Sequence, residues 1–353
     1  MNGLFGYLNP DLAAIVCSYL RYDDELQYIV VNTFTYCHSK QYRILTLNKQ
    51  HTLHFIGVES FHYRCLSLIA NPSKQLSLSL KNCVEINDVS ALGGVFSLDL
   101  SGCTGITDVS SLGNVHILKL DGCRGVSDVS SLGGVYSLSL RGCSSIRDVS
   151  ALGKVHTLNL EGCCRITDVS ALGNVHTLDL SECVSIRDVS ALGGVHSLNL
   201  EGCSAVCDVT ALGQVHYLNL CGCCGVTDVS ALGAVHTLIL SKCFGSRDVS
   251  ALGRVHTLNL SKCSGISDVS ALGGVHTLIL SRCYGIRDVS ALGSVHTLDL
   301  SGCFGIRDVS SLSGVHTLIL EGCTGLVDVD VDAVQSSRNR LMDYTDACNV
   351  AVY

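Results

Sequence analysis

The sequence predicts an α/β-type solenoid: mostly parallel β-strand with short 3₁₀ or irregular convex segments, preceded by a small helical module. Three observations predict it. From Lys81 to Leu320 the chain consists of twelve units of twenty residues without an insertion, and a fixed period in this range is the signature of stacked coils. Within each unit a short stretch alternates polar and apolar residues, as in Thr177-Leu-Asp-Leu180, the period of a half-buried strand. Finally, 47% of the 353 residues are hydrophobic, yet no apolar run approaches the roughly eighteen residues of a membrane span. The apolar side chains must therefore line a core. The 35 Gly, two Pro and absence of Trp are likewise untypical of an ordinary globular domain.

The elements divide the chain into residues 1–40, a helical module; 41–80, a cap and degenerate coils; 81–328, the solenoid; and 329–353, a C-terminal cap and tail. In the first of these, Leu12, Ile15, Val16, Tyr19 and Leu20 recur at helical spacing, with Asn9 or Asp11 near the helix start. A second helix is expected at about 23–32. Leu8, Asp11, Leu12, Val16, Cys17, Ser18, Tyr19 and Leu20 fall on positions of the pattern that opens an F-box, which this passage resembles. Pro10 stands one residue late, Cys17 replaces the usual Phe, and Phe34 or Tyr36 must serve for the later Trp. The resemblance implies that Leu8, Leu12, Val16, Tyr19 and Leu20 contact a Skp-family adaptor; the alternative is a helical cap that closes the solenoid. Next, Arg43–Leu47 and His51–Phe55 flank Asn48-Lys49-Gln50 and are expected to form a hairpin.

In the repeat, the unit from Glu161 to Leu180 is typical. Cys163, Ile166, Asp168, Val169, Ser170, Leu172, Gly173, Val175, His176, Leu178 and Leu180 have counterparts in nearly every neighbouring unit. Leu178 and Leu180 should point inward from a short strand and Thr177 and Asp179 outward. The remainder is too short for a long helix, so Asp168–Gly173 should make one 3₁₀-like turn. The stretch Val175–Cys183 is similar to the leucine-rich repeat signature, with Cys183 in place of the commoner Asn. Near-identical tandem units after an F-box-like start also resemble the expanded repeat families of large DNA viruses of protists, which implies a host protein as target and the host cytoplasm as compartment. A lone coil buries too little to offset its ordering entropy, so neighbours and caps must stabilise it.

Three ladders imitate chemistry. Ten His between His116 and His316 form a column in which parallel imidazoles should not converge on a metal, while mutual repulsion should depress their charging. Thirteen Cys from Cys83 to Cys323 should be buried thiols. Cys221, Cys223 and Cys224 lack a second partner group and define no metal site. Thirteen Asp from Asp88 to Asp328 should cap the convex turn through backbone N–H groups two or three residues on. Identical carboxylate pairs along the whole chain define no unique catalytic centre, so no enzyme, metal or cofactor is expected.

Specificity should lie in columns that vary. At the outward strand position the sequence changes from polar to partly apolar with Ile239, Ile279 and Ile319, and Lys242, Lys262 and Arg282 follow as a basic rim. A second stripe combines Phe244, Tyr284 and Phe304 with Arg247, Arg287 and Arg307, residue types enriched at protein contacts. Ser246 breaks the Ile column and should weaken its coil. The net charge of −8 argues against nucleic acid as partner, although the Asp column accounts for all of it. No signal peptide is read, so 21 Cys point to a reducing, cytoplasmic compartment. The expected molecule is a monomer that binds a protein target through the concave C-terminal half, as the substrate receptor of a cullin-RING ubiquitin ligase or as a passive or decoy binding protein.

Overall fold

The computed structural model describes residues 35–38, 43–47, 74–243, 245 and 247–326. Leu8, Leu12, Val16, Tyr19 and Leu20, expected from the sequence to contact an adaptor, together with both expected N-terminal helices, the segment 51–55, Phe244, Ser246 and the C-terminal cap, lie outside the described residues.

The described strands form one sheet of fifteen in chain order. β1 (Thr35–His38) pairs antiparallel with β2 (Arg43–Leu47), which pairs parallel with β3 (Lys74–Ser79). Both edges of β2 are thus taken, and its hairpin partner is β1 rather than the expected 51–55. From β4 (Ser97–Asp99) to β15 (Thr317–Ile319) each strand has three residues and every pairing is parallel. The register advances by one whole unit per strand, so Thr177 of β8 (Thr177–Asp179) faces Ser197 and Leu178 faces Leu198.

The unit 161–180 shows why this sequence coils. Leu178 and Leu180 are buried and Thr177 and Asp179 half-buried. Cys163, Ile166, Val169, Leu172 and Val175 complete a fully buried ring of side chains, so the seven apolar columns converge on one continuous core. The convex segment is a 3₁₀ turn at Ser170–Asn174. Its entry is fixed by Asp168, whose Oδ1 accepts the Ser170 N–H at 2.9 Å; all twelve Asp from Asp88 to Asp308 repeat the bond at 2.8–2.9 Å. Gly173 is required by stacking, because a Cβ there would stand 2.2 Å from the Ala191 carbonyl oxygen of the next coil.

Backbone groups outside the strands are also paired, as buried peptide groups must be. Within the coil, Cys163 N–H donates to Leu160 O and Ile166 N–H to Cys163 O; between coils, Leu180 N–H donates to Asn199 O. The Cys column adds a side-chain bond. From Cys103 to Cys323 each Sγ donates to the Leu carbonyl of the preceding coil at 3.0–3.2 Å, as Cys163 does to Leu140. The thiols are free rather than disulfide-bonded, and burial pushes the Cys163 thiol up to about 12.

Candidate protein-binding surface

Side chains reach solvent from the strand, from the turn that follows it and from the loop leading to the convex side. The outward strand column does not act as a free recognition surface. Asp99, Asn159, Asp179, Asn199, Asn219, Asn259 and Asp299 each turn a side-chain oxygen onto the N–H two residues on, at 2.8–3.1 Å. They hold the turn closed in an Asx-type arrangement. Ser139 instead donates its hydroxyl to Asp121.

Ile239, Ile279 and Ile319 interrupt this pattern, since isoleucine offers no acceptor to the N–H of Ser241, Ser281 or Glu321. They also differ from expectation. Ile239 is only 9% exposed, packed in register between Asn219 and Asn259, so it belongs more to the core than to a docking face. Ile279 and Ile319 are half-buried, and Asn259 and Asp299 separate the three. The partly apolar column expected from the sequence is thus three isolated methyl-bearing patches in the register.

The next column is the turn residue that must adopt a left-handed conformation. Eight coils place Gly there, with φ between 69° and 76°. Glu182, Lys242, Lys262 and Arg282 occupy the same conformation with φ near 60° and are exposed. A side chain in this region costs roughly 1–2 kcal/mol. The basic rim expected at Lys242, Lys262 and Arg282 is therefore present, at a local conformational cost.

On the loop, Tyr284 and Phe304 stack with ring centroids 5.3 Å apart and planes 5° from parallel, yet remain 51% and 53% exposed. Arg247, Arg287 and Arg307 are exposed beside them in sequence, each followed by a turn-capping Asp.

The His column is longer than the sequence reading allowed. Phe96, His116, Tyr136 and the nine His from His156 to His316 form one unbroken stack of twelve rings, with centroids 4.5–4.8 Å apart. Tyr136, which stands where the neighbouring coils carry His, continues the stack because any flat ring fits it. Partial desolvation, then repulsion from neighbouring imidazoles, holds His236 and His296 below the ordinary imidazole value. Among the described residues no group of three or more His, Cys, Asp or Glu is placed to hold a metal, and no helix is long and apolar enough to cross a membrane.

No protein-family model matches the chain, and no curated protein matches it. Among solved structures, an internalin from Listeria monocytogenes aligns over 94% of both chains with 19% identity and a TM-score of 0.55. The functional domain of InlJ from Listeria monocytogenes, described as including a cysteine ladder, aligns over 70% of this chain and 63% of its own, with 20% identity and a TM-score of 0.40. A leucine-rich repeat protein from Leptospira interrogans aligns over 76% and 83%, with 15% identity and a TM-score of 0.38. The parallel sheet, the 3₁₀ turns between its strands and the internalin alignment agree on one architecture: the fold of this chain is a leucine-rich repeat solenoid.

Proposed function

We propose that the chain is a non-enzymatic scaffold that binds a protein through the loop and turn surface of its C-terminal coils, with Tyr284 and Phe304 as anchors and Arg282, Arg287 and Arg307 around them. The exposed, mutually stacked Tyr284–Phe304 pair carries this reading. Large aromatic surface left in water beside arginine is the composition of an interaction hot spot. Two further features point the same way: the left-handed Lys242, Lys262 and Arg282, and Ile279, which forgoes the turn-closing acceptor. The test is affinity capture with the full chain against a Tyr284→Ala/Phe304→Ala variant, partners being identified by mass spectrometry. A partner lost with the two rings supports the assignment; an identical set of partners refutes it.

We further propose that residues 1–40 recruit a Skp-family adaptor through Leu8, Leu12, Val16, Tyr19 and Leu20, making the chain a substrate receptor of a cullin-RING ligase that acts in the cytoplasm, the host's if the gene is viral. The F-box-like spacing in the sequence supports recruitment, and the free, hydrogen-bonded thiol column supports a reducing compartment. Co-purification with a purified adaptor, lost in Leu12→Asp/Val16→Asp, tests the recruitment. No binding by the unmodified chain leaves the passive or decoy scaffold as the function.

A further inference from the structure

The outward strand column and the two turn positions after it form a ridge along the solenoid, and the charges on that ridge are segregated. From Asn159 to Gly202 every ionisable group on it is acidic: Glu161, Asp179, Glu182 and Glu201. From Ile239 to Arg282 every one is basic: Lys242, Lys262 and Arg282. The sign changes at Gly222. Because each coil advances the chain by one unit in register, sequence separation from Gly222 translates directly into distance along the ridge, about 4.8 Å per coil. Glu182 and Lys262 lie two coils on either side, in the same column and with the same left-handed backbone, φ 60° and 62°. Glu201 is one coil away on one side and Lys242 one coil away on the other. Glu161 and Arg282 stand three coils out.

We infer that this ridge is an antiparallel, two-fold self-association surface, with the axis at Gly222 and a second copy of this chain as its partner. A two-fold contact brings residue i of one copy onto residue j of the other and j onto i. Turning the ridge around Gly222 lays Glu182 on Lys262, Glu201 on Lys242 and Glu161 on Arg282, each twice. The surface at the axis permits close approach: Gly222 carries no side chain and has only Gly202 backbone beside it, and Cys221 and Ser241 are recessed to 7% and 6% exposure, while the Glu182 carboxylate lies over Gly202. The local cost of the arrangement also points to use. Five described non-glycine residues adopt the left-handed conformation, and the four charged ones are Glu182, Lys242, Lys262 and Arg282, all on this strip.

The surroundings set the limits of the contact. Glu161 already pairs with Arg141 at 3.0 Å, and Glu201 accepts from Asn219 at 3.3 Å, so Glu182–Lys262 is the pair with the freest partners. Five coils from the axis Asp121 would oppose Glu321, which confines the contact to at most nine coils. Exposed ion pairs contribute little affinity each but fix register and orientation. The association should therefore be weak and salt-dependent. A target that engages Lys242, Lys262 and Arg282 would compete with it.

Sedimentation velocity of the full chain decides the matter. A dimer is expected at about 0.01 M salt, where the screening length is about 30 Å, and a monomer at about 1 M, where it is about 3 Å. Glu182→Lys and Lys262→Glu should each weaken self-association by about tenfold or more, since each places like charges together twice. Mixing the two variants should restore a dimer. The lysine introduced at position 182 of one copy then meets the glutamate introduced at position 262 of the other, while the unchanged Lys262 of the first meets the unchanged Glu182 of the second. A chain monomeric at both salt concentrations overturns the inference, as does a mixture no more associated than its components. Tyr284→Ala/Phe304→Ala should leave self-association unchanged, which separates its failure from failure of the target-binding reading.

Discussion

Replacing Lys242, Lys262 and Arg282 together by Gly should make the protein more stable. All three residues hold φ near 60° where eight other coils use Gly. Relief of the left-handed conformation returns roughly 1–2 kcal/mol per residue, while the greater freedom of Gly in the unfolded chain takes back about 0.4–1 kcal/mol. The net is about 0.5–1 kcal/mol per site, or about 2 kcal/mol for the three. Electrostatics has the same sign: unit charges about 5 Å apart repel by about 0.8 kcal/mol even at the dielectric constant of water, and the substitution removes three of them from adjacent coils. None of these side chains packs in the core, so no cavity term opposes the gain. Urea titration followed by far-UV circular dichroism reads the result. With a slope of roughly 2–3 kcal/mol per molar urea, the midpoint should rise by roughly 0.5–1 M. Gly202→Lys, the reverse change, should lower it. A triple variant with an unchanged or lowered midpoint would show that the turn tolerates side chains without strain, and the inference that function maintains them would lose its physical basis.

Alkylation of the native protein should label Cys164, Cys207 and Cys224, the exposed thiols among the described residues, and spare Cys163 and Cys203, whose thiols burial raises to about 12; labelling of the column at native pH, mapped by mass spectrometry, would contradict the burial. Leu178→Ala removes a side chain that is 1% exposed and should cost about 2–5 kcal/mol, read as a lower urea midpoint. Acid should destabilise the protein in two unequal stages. The twelve Asp caps lie below the ordinary 3.8, through the bonds from the N–H and hydroxyl two residues on, which outweigh repulsion between successive carboxylates where it acts. A lowered carboxylate pKa contributes stability that is present above the unfolded value and lost as pH falls through the folded one, so the main loss belongs below about pH 4. His236 and His296, also lowered, add a smaller loss that begins as pH falls below about 6.5. A melting temperature that stays flat from pH 5 to below about pH 3 would refute the capping role.

The repeat made much of the fold legible because one environment is printed twelve times. Alternation at Leu178 and Leu180 identified the strand, and the Asp168–Gly173 segment identified the 3₁₀ turn, since a short polar cap followed by two small residues has few other uses. The surface was less legible for a physical reason: the same residue types serve water and backbone. Asp179 and Asn199 read as solvent-facing polar groups, but their oxygens close a turn two residues on. Ile239 read as an exposed contact, yet neighbouring side chains in the packed sheet cover it. The His column was legible by residue identity, whereas stacking depends on flatness and so takes in Phe96 and Tyr136 as well. Nothing in the pattern of Arg43–Leu47 distinguished a partner before it in the chain from one after it, and both edges of that strand are occupied in the fold.

The in-register ladder makes the chain editable in whole units. In the core columns, a position in the interior of the solenoid meets the same kinds of neighbour as the position twenty later. A cut at any point in one coil, rejoined to the equivalent point in the next, recreates every backbone bond, cap and thiol contact at the seam. Excision or duplication of a unit is thus almost free of structural penalty wherever it falls, while a change of any other length would throw every subsequent column onto the wrong face. Length becomes a variable that recombination can tune. What such an edit does alter is position: one unit gained between Gly222 and Lys242 would carry the three cations a further 4.8 Å or so from the glycine, while the acidic coils stayed where they are.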